Sequence, residues 1–264
     1  MKEREGIPLP IQREVRKKCG FGCIICGLPI YEYHHKVEWS IVEKHETENI
    51  VLLCSNHHQM VTNGLIPEND IIQAEKRPIN LIKGESFNQP LFFNGETCAI
   101  WLGFNCFEVS LKNNINYLNA LIVDGVSLIS FQHENKQLLL NINQYDENNN
   151  CVLTILKNEL VYSTLSWDIE FVGNVLTIRD KPGKFIIQIK FNPPNAVFIE
   201  RGLFYYKGTK ILIDNNGVSI ETKKGLKFDC NFAFSEGLSN GILIGNKSFK
   251  PGGALFHIDD SKWT

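Results

Sequence analysis

Cys23-Ile24-Ile25-Cys26 is followed about thirty residues later by Cys54-Ser55-Asn56-His57. A C-x2-C turn bends so that both sulfurs point at one ion, and a C-x2-H turn does the same with a sulfur and an imidazole. Two such turns supply the four soft ligands of a tetrahedral zinc site. The spacing therefore predicts a structural zinc held by Cys23, Cys26, Cys54 and His57. Cys19 precedes the first turn and reads as a buried thiol at a helix end, not as a competing ligand.

Short elements surround these turns. Pro10 to Lys18 reads as a helix, with proline in the first turn and Arg13, Arg16, Lys17 and Lys18 towards its end; Gly20 and Gly22 stop it. Ile30–His35 and Asn49–Leu53 read as strands. Ser55 or Asn56 is placed to cap a helix that starts at His57, and Pro67, Glu68 and Asp70 open another. A domain with so little core needs a metal staple.

Histidines cluster between and after the turns. His34 and His35 are adjacent on a strand, so their side chains leave opposite faces and serve different purposes. His57 and His58 lie about 100° apart at a helix start and likewise divide between two sites. His45, among Glu43, Lys44 and Glu46, reads as a solvated loop residue.

The rest of the chain is different in kind. Four of the eight cysteines and five of the seven histidines precede residue 78, after which Ile, Val, Phe and Tyr dominate. In Lys184–Phe191 the apolar residues Phe185, Ile187, Ile189 and Phe191 alternate, and turn dipeptides recur at Asp124-Gly125, Gly173-Asn174, Pro182-Gly183, Pro194-Asn195, Lys207-Gly208 and Asn216-Gly217. The expected fold class is α+β: a small zinc-stapled domain over 1–80, a linker over 81–90, and an all-β domain over 91–264, sandwich-like or built as a stacked β-ladder. Cys98, Cys106, Cys151 and Cys230 read as core thiols, Trp101 and Trp167 as core filling, and Asp168 carries no signal.

With 43% hydrophobic and 21% charged residues the 264-residue chain has the composition of a globular protein. A net charge of −2 excludes a globally basic nucleic-acid binder, so any such contact needs a local patch. No apolar run reaches the ~18 residues of a membrane span, and Met-Lys-Glu-Arg-Glu is not the start of a signal peptide. The expected compartment is the reducing cytoplasm, where eight cysteines read as thiols or metal ligands.

Taken together, Cys23-x2-Cys26-Gly27, Tyr33-His34-His35, Glu48-Asn49-Ile50-Val51-Leu52-Leu53-Cys54 and His57-His58 resemble the HNH (His-Me finger) nuclease signature, in a match over residues 10–66. The front segment is similar to a group of bacterial HNH proteins with β-rich tails. The resemblance implies a ββα-metal fold in which a hairpin and a helix clasp one catalytic metal. It implies that His35 is the general base, that Asn49 pins the long loop and helps to orient that base, and that His34 and His58 hold the catalytic ion. Aspartate is common at the His34 position. His57 stands where many members have cysteine, and Thr62 where some carry a further histidine. Two imidazoles suit manganese, nickel or zinc at least as well as magnesium, which prefers oxygen.

The resemblance implies a metal-dependent endonuclease that hydrolyses DNA, in restriction or phage defence. The alternatives are a zinc-stapled nucleic-acid-binding module with weakened catalysis, and an RNA nuclease. Double-stranded DNA is the expected partner. Arg13, Arg16, Lys17, Lys18 and Lys36 are the candidate phosphate contacts, with a solvated helix face as their other reading. The β-rich part is expected to select a target, sense a trigger or mediate assembly; an exposed sheet edge would allow a homo-oligomer.

Overall fold

The structure is a computed structural model and describes residues 6–37, 39–110, 115–245 and 253–259. The opening residues 1–5, read above only for a leader, lie outside these. Helix α1 (Leu9–Lys18) has proline in its first turn and Arg16, Lys17 and Lys18 in its last. It ends where Gly20 and Phe21 take left-handed backbone angles, φ 70° and 58°. Strand β1 (Glu32–His35) pairs antiparallel with β2 (Ile50–Leu53), setting His34 opposite Val51 and His35 opposite Ile50. The long connection between them contains the short helix α2 (Trp39–Val42) and a 3-10 turn over Thr47–Asn49.

Helix α3 (Ser55–Thr62) begins earlier than expected. Cys54 takes the cap position with no side-chain cap bond, and Ser55 is already inside the first turn. Helix α4 (Glu68–Lys76) opens behind Pro67 with Glu68 and Asp70 in its first turn, as those residues favour. Val15, Ile24, Ile71 and all four residues of β2 form the apolar core of this part, together with the buried thiols.

The segment 81–90 was expected as a linker; it is largely exposed but is tied along the sheet edge. Helix α5 (Ile79–Lys83) runs into it and ends at Gly84, φ 78°. Ser86 is buried, and its amide donates to the Tyr162 carbonyl (2.9 Å) while its hydroxyl accepts from the Tyr162 amide (3.1 Å). Gln89–Pro90 then pairs with Glu159–Tyr162. A polar, proline-containing stretch can lie along a sheet edge, and composition alone does not separate that from a free linker.

The remainder is all-β. Among the described residues one sheet has eight strands, in the order Ala254–Ile258, Asn240–Ile244, Tyr117–Val123, Val126–Glu134, Gln137–Tyr145, Cys151–Leu156, Glu159–Tyr162, Gln89–Pro90. The second has ten. Seven of these follow in sequence order, from Asp168–Val172 to Lys227–Cys230, each antiparallel to the one before. The connections fall at the expected turn dipeptides: Asp124, Lys207 and the glycines Gly125, Gly173, Gly183 and Gly208 all take positive φ there. Both sheets contribute to one apolar core, with Leu121, Phe131 and Ile142 from the first and Ile178, Ile187 and Val197 from the second. That shared core is the sandwich-like arrangement; most neighbouring strands are antiparallel, and parallel pairs join Asn240–Ile244 to Tyr117–Val123 and Ala196–Tyr206 to Thr97–Leu102.

Three side-chain expectations for this part change. Cys151 is exposed, whereas Cys98, Cys106 and Cys230 are buried. Trp101 and Trp167 are half-buried: Trp101 stacks on Phe198 at 5.6 Å, and Trp167 lies under the Arg13 guanidinium at 4.6 Å. Asp168 is buried and ion-paired. Among the described residues no helix is long and apolar enough to cross a membrane.

Candidate metal centre and histidine cluster

The first cysteine turn is built by the backbone. The Gly27 amide donates to the Cys23 carbonyl (2.8 Å), and the Cys23 amide donates to Leu28 (3.0 Å). Gly27 needs its φ of 80°, and a Cβ there would meet Asn80 Oδ1 at 2.1 Å. Asn80 explains that closeness. It is buried in α5, and its Nδ2 donates to the carbonyls of Gly20 and Gly27, both at 3.0 Å, tying the two turns that flank the cysteines. The second turn is the start of α3, where the His58 amide donates to the Cys54 carbonyl at 2.8 Å.

These turns bring Cys23, Cys26, Cys54 and His57 together, with all four donor atoms within 4.8 Å of one another. Cys26 Sγ lies 3.7 Å from Cys54 Sγ, and His57 Nδ1 lies 3.4 Å from Cys23 Sγ and 3.2 Å from Cys54 Sγ. A tetrahedron with ~2.3 Å Zn–S arms has edges of about 3.8 Å, so the spacing fits zinc. The electrostatics fit as well. The neighbouring Cys26 thiol and the amides of Cys26, Cys54 and Ile25 hold the Cys23 thiol below its ordinary pKa against the opposing effect of burial, while Cys26, its coupled partner, is pushed up. The group can hold a zinc ion.

Behind this site lies the histidine cluster. The expected division of each pair is observed. His57 turns to the sulfurs, whereas His58 meets His34 edge to face, ring centroids 4.9 Å apart. Burial and the nearby His58 push the His34 pKa down, which keeps its lone pair available for a metal. His35 leaves the other way and meets His45, Nε2 to Nδ1 at 3.1 Å. His45 is therefore part of the cluster, not a solvated loop residue. Because imidazoles bond only as donor to acceptor, at least one ring of this pair is neutral. Sequence reasoning missed His45 because its contact is made by the fold of the β1–β2 connection, which has no periodicity to read.

Asn49 is buried and clamps that connection. Its Oδ1 accepts from the Val37 amide (2.8 Å), its Nδ2 donates to the Val37 carbonyl (3.1 Å), and its own carbonyl accepts from Lys36 (2.8 Å). The pin is thus applied to the backbone just after His35. Asn49→Ala leaves both polar groups of Val37 without this partner and is expected to cost about 1–3 kcal/mol. Asn49→Asp keeps only the acceptor and should fall between; guanidinium unfolding of the three proteins measures both.

The basic residues do not form the free patch anticipated. Arg16 is buried and bonded to Asp168 and Tyr33. Lys18 and Lys36 converge on Glu75, whose carboxyl they hold below its ordinary pKa against the opposing effect of burial. Arg13 covers Trp167. Of the five, Lys17 alone is exposed. A run of arginine and lysine on a helix shows charge but not the carboxylates that the rest of the fold brings to it.

A cysteine turn, a hairpin and a helix that bring three thiols and an imidazole together, with a second imidazole cluster beside them, define a ββα module that can hold a metal. Residues 23–64 match the family model of HNH endonuclease, so this segment of the chain is similar to that family. No curated protein and no solved structure matches it. That similarity points to a nuclease or nucleic-acid-binding function, and HNH domains use divalent metals.

Proposed function

We propose that the chain is a metal-dependent endonuclease that hydrolyses DNA phosphodiester bonds, with His34 and His58 as ligands of the catalytic ion and His35 as the general base. The observation that carries this reading is the divergence of the two histidines on β1: His34 turns to His58 on α3 while His35 turns away from both. One strand thereby offers a ligand pair and a separate base. Two imidazoles suit manganese or nickel, and a bound divalent ion would supply stabilisation of the charge that builds on the phosphate and the leaving oxygen.

The chain's own groups do the rest. His35 takes a proton from the attacking water, whose oxygen bonds to phosphorus as the P–O3′ bond breaks, giving a 5′-phosphate. An imidazole, with an ordinary pKa of about 6.5, suits that task near neutral pH. The Asn49 clamp on Val37 keeps the backbone after His35 in place. Residues 1–80 carry this chemistry in our reading, and the β-rich part from 91 onward serves target selection, sensing or assembly. Restriction or phage defence in a bacterial cytoplasm is a setting in which such an activity would serve.

Plasmid cleavage with added magnesium, manganese or nickel tests the proposal. His35→Ala is expected to lose about 10²–10⁴-fold in rate while keeping its zinc content and its unfolding midpoint. A variant that cuts at the wild-type rate removes His35 from the mechanism. Failure of the wild type with every metal leaves a nucleic-acid-binding module, the reading that Thr62 favours: it stands one helical turn after His58, and its hydroxyl is spent on the His58 carbonyl (2.9 Å). Duplex RNA digested in parallel separates a DNA nuclease from an RNA nuclease.

A further inference from the structure

Arg16 joins the two parts of the chain at a point close to the histidines. Its Nε and Nη2 donate to the two oxygens of Asp168, at 2.9 and 2.8 Å, a paired contact that holds the guanidinium in one plane. Its remaining arm, Nη1, donates to the Tyr33 hydroxyl at 3.0 Å. The Arg16 and Asp168 side chains are 5% and 4% exposed, so water does not compete. Asp168 is held in turn by Arg179 (3.2 Å), which also bonds Glu170 (3.1 Å). An unbroken line of hydrogen bonds, buried at Asp168 and part-buried at Tyr33, thus runs from the Asp168–Val172 strand through α1 to Tyr33. Tyr33 is the residue immediately before His34 and His35.

Strand β1 has a further side-chain tie, the exposed bond from the Ser55 hydroxyl of α3 to its Glu32 carboxylate (2.8 Å). The strand is four residues long, and among the described residues its sheet contains only β2 as a partner. A two-stranded ribbon is marginal alone and twists freely. The setting of His34 against His58 therefore depends on what holds β1 from outside the hairpin, and the Tyr33 hydroxyl is such a hold. We propose that Asp168 is a positioning residue of the histidine centre: acting through Arg16 and Tyr33, it fixes the strand that carries His34 and His35, so that the β-rich part completes the site of the HNH module. This rests on the assignment of His34 and His58 as ligands of a divalent ion.

Manganese binding to the full-length, zinc-loaded chain tests the inference, read as the loss of the free-ion electron paramagnetic resonance signal. Wild type, His34→Ala, Asp168→Asn, Tyr33→Phe and the Asp168→Asn/Tyr33→Phe double variant are compared, each with its zinc content and unfolding midpoint. Outer partners of metal ligands typically change affinity by about 10–100-fold. Asp168→Asn and Tyr33→Phe are each expected to weaken manganese binding by about tenfold, and the double variant by no more than the worse single, since one path is cut twice. A purely structural Asp168 would lower the midpoint and leave the affinity of the folded protein unmoved. Tyr33→Phe removes one oxygen and decides the matter if Asp168→Asn does not fold. If wild type binds manganese and His34→Ala does not, wild-type affinity in Tyr33→Phe and in any folded Asp168→Asn overturns the inference alone, and so do single effects that multiply in the double variant. If wild type binds no manganese, the assignment of His34 and His58 falls, and this inference with it.

Discussion

Cys54→Ser, or prolonged chelation of the wild type, is expected to unfold the hairpin and α3 while the β-rich part stays folded. The two parts have very different resources. The apolar cluster of the HNH part consists, among the described residues, of ten buried residues, and Cys23 and Cys54, two of the four donors that can hold zinc, are among those ten. Remove the ion and those thiols become part of a core too small to close around the long β1–β2 connection. Structural zinc contributes an apparent ~10–16 kcal/mol in zinc-finger peptides, which exceeds the whole stability of many domains. The two sheets share a much larger core that includes Phe107, Phe131 and Phe204 and owes nothing to the metal. Loss of helical circular dichroism with retained strand signal, and protease cleavage within residues 30–66, is the expected pattern. Serine at Cys54 should reproduce the chelated state without chelator, because a hydroxyl is a poor zinc ligand at neutral pH. Unchanged spectra and cleavage after the metal is stripped would mean that the four donors do not hold a structural ion. Helix α1 is expected to resist longest, because Arg16 and the Tyr162 hydroxyl, which donates to the Phe21 carbonyl at 2.6 Å, tie that end to the sheets.

The clustering of Cys23, Cys26, Cys54 and His57 was legible because a metal site imposes spacing on sequence: two turns of fixed length must converge on one point. The strand pair and the opposite faces of His34 and His35 were legible for a similar reason, since period-two geometry holds wherever a strand forms. The sheets were legible through their turns, where positive φ selects glycine, asparagine and aspartate. What could not be read were contacts between distant segments. His45 reaches His35 across an irregular connection, Asn80 reaches back to Gly20 and Gly27, and Asp168 meets Arg16 from 152 residues away. None of these leaves a local pattern. The basic helix shows the consequence: charge was visible, but not its partners, and the expectation of a phosphate-binding patch assumed that none existed.

Arg16 is where the two accounts of that helix part most sharply. As a phosphate contact, Arg16→Met would cost little stability and reduce the salt dependence of DNA binding by about one released counterion. As a buried ion-pair residue, it should do the opposite. Burial works against the charge of Arg16, but its hydrogen bonds to Asp168 outweigh that and raise its pKa, so the guanidinium stays charged. Taking it away leaves the Asp168 carboxylate, 4% exposed, with only the single bond from Arg179, which is shared with Glu170. Breaking a buried pair in this way typically costs about 3–5 kcal/mol, because the abandoned charge keeps its desolvation penalty. Lys17→Met on the exposed side of the same helix is expected to stay within about ±0.5 kcal/mol. The double change Arg16→Met/Asp168→Leu removes both charges, leaves Arg179 and Glu170 to each other, and should be more stable than Arg16→Met alone. Guanidinium midpoints of the four proteins measure the first set of effects, and the salt slope of binding to a short duplex measures the second. A silent midpoint with a shallower slope would return Arg16 to the nucleic-acid interface. A large loss of stability with an unchanged slope in the folded variant means that phosphate is met elsewhere and that α1, for all its basic residues, is the bracket by which the HNH module is fastened to the sheets.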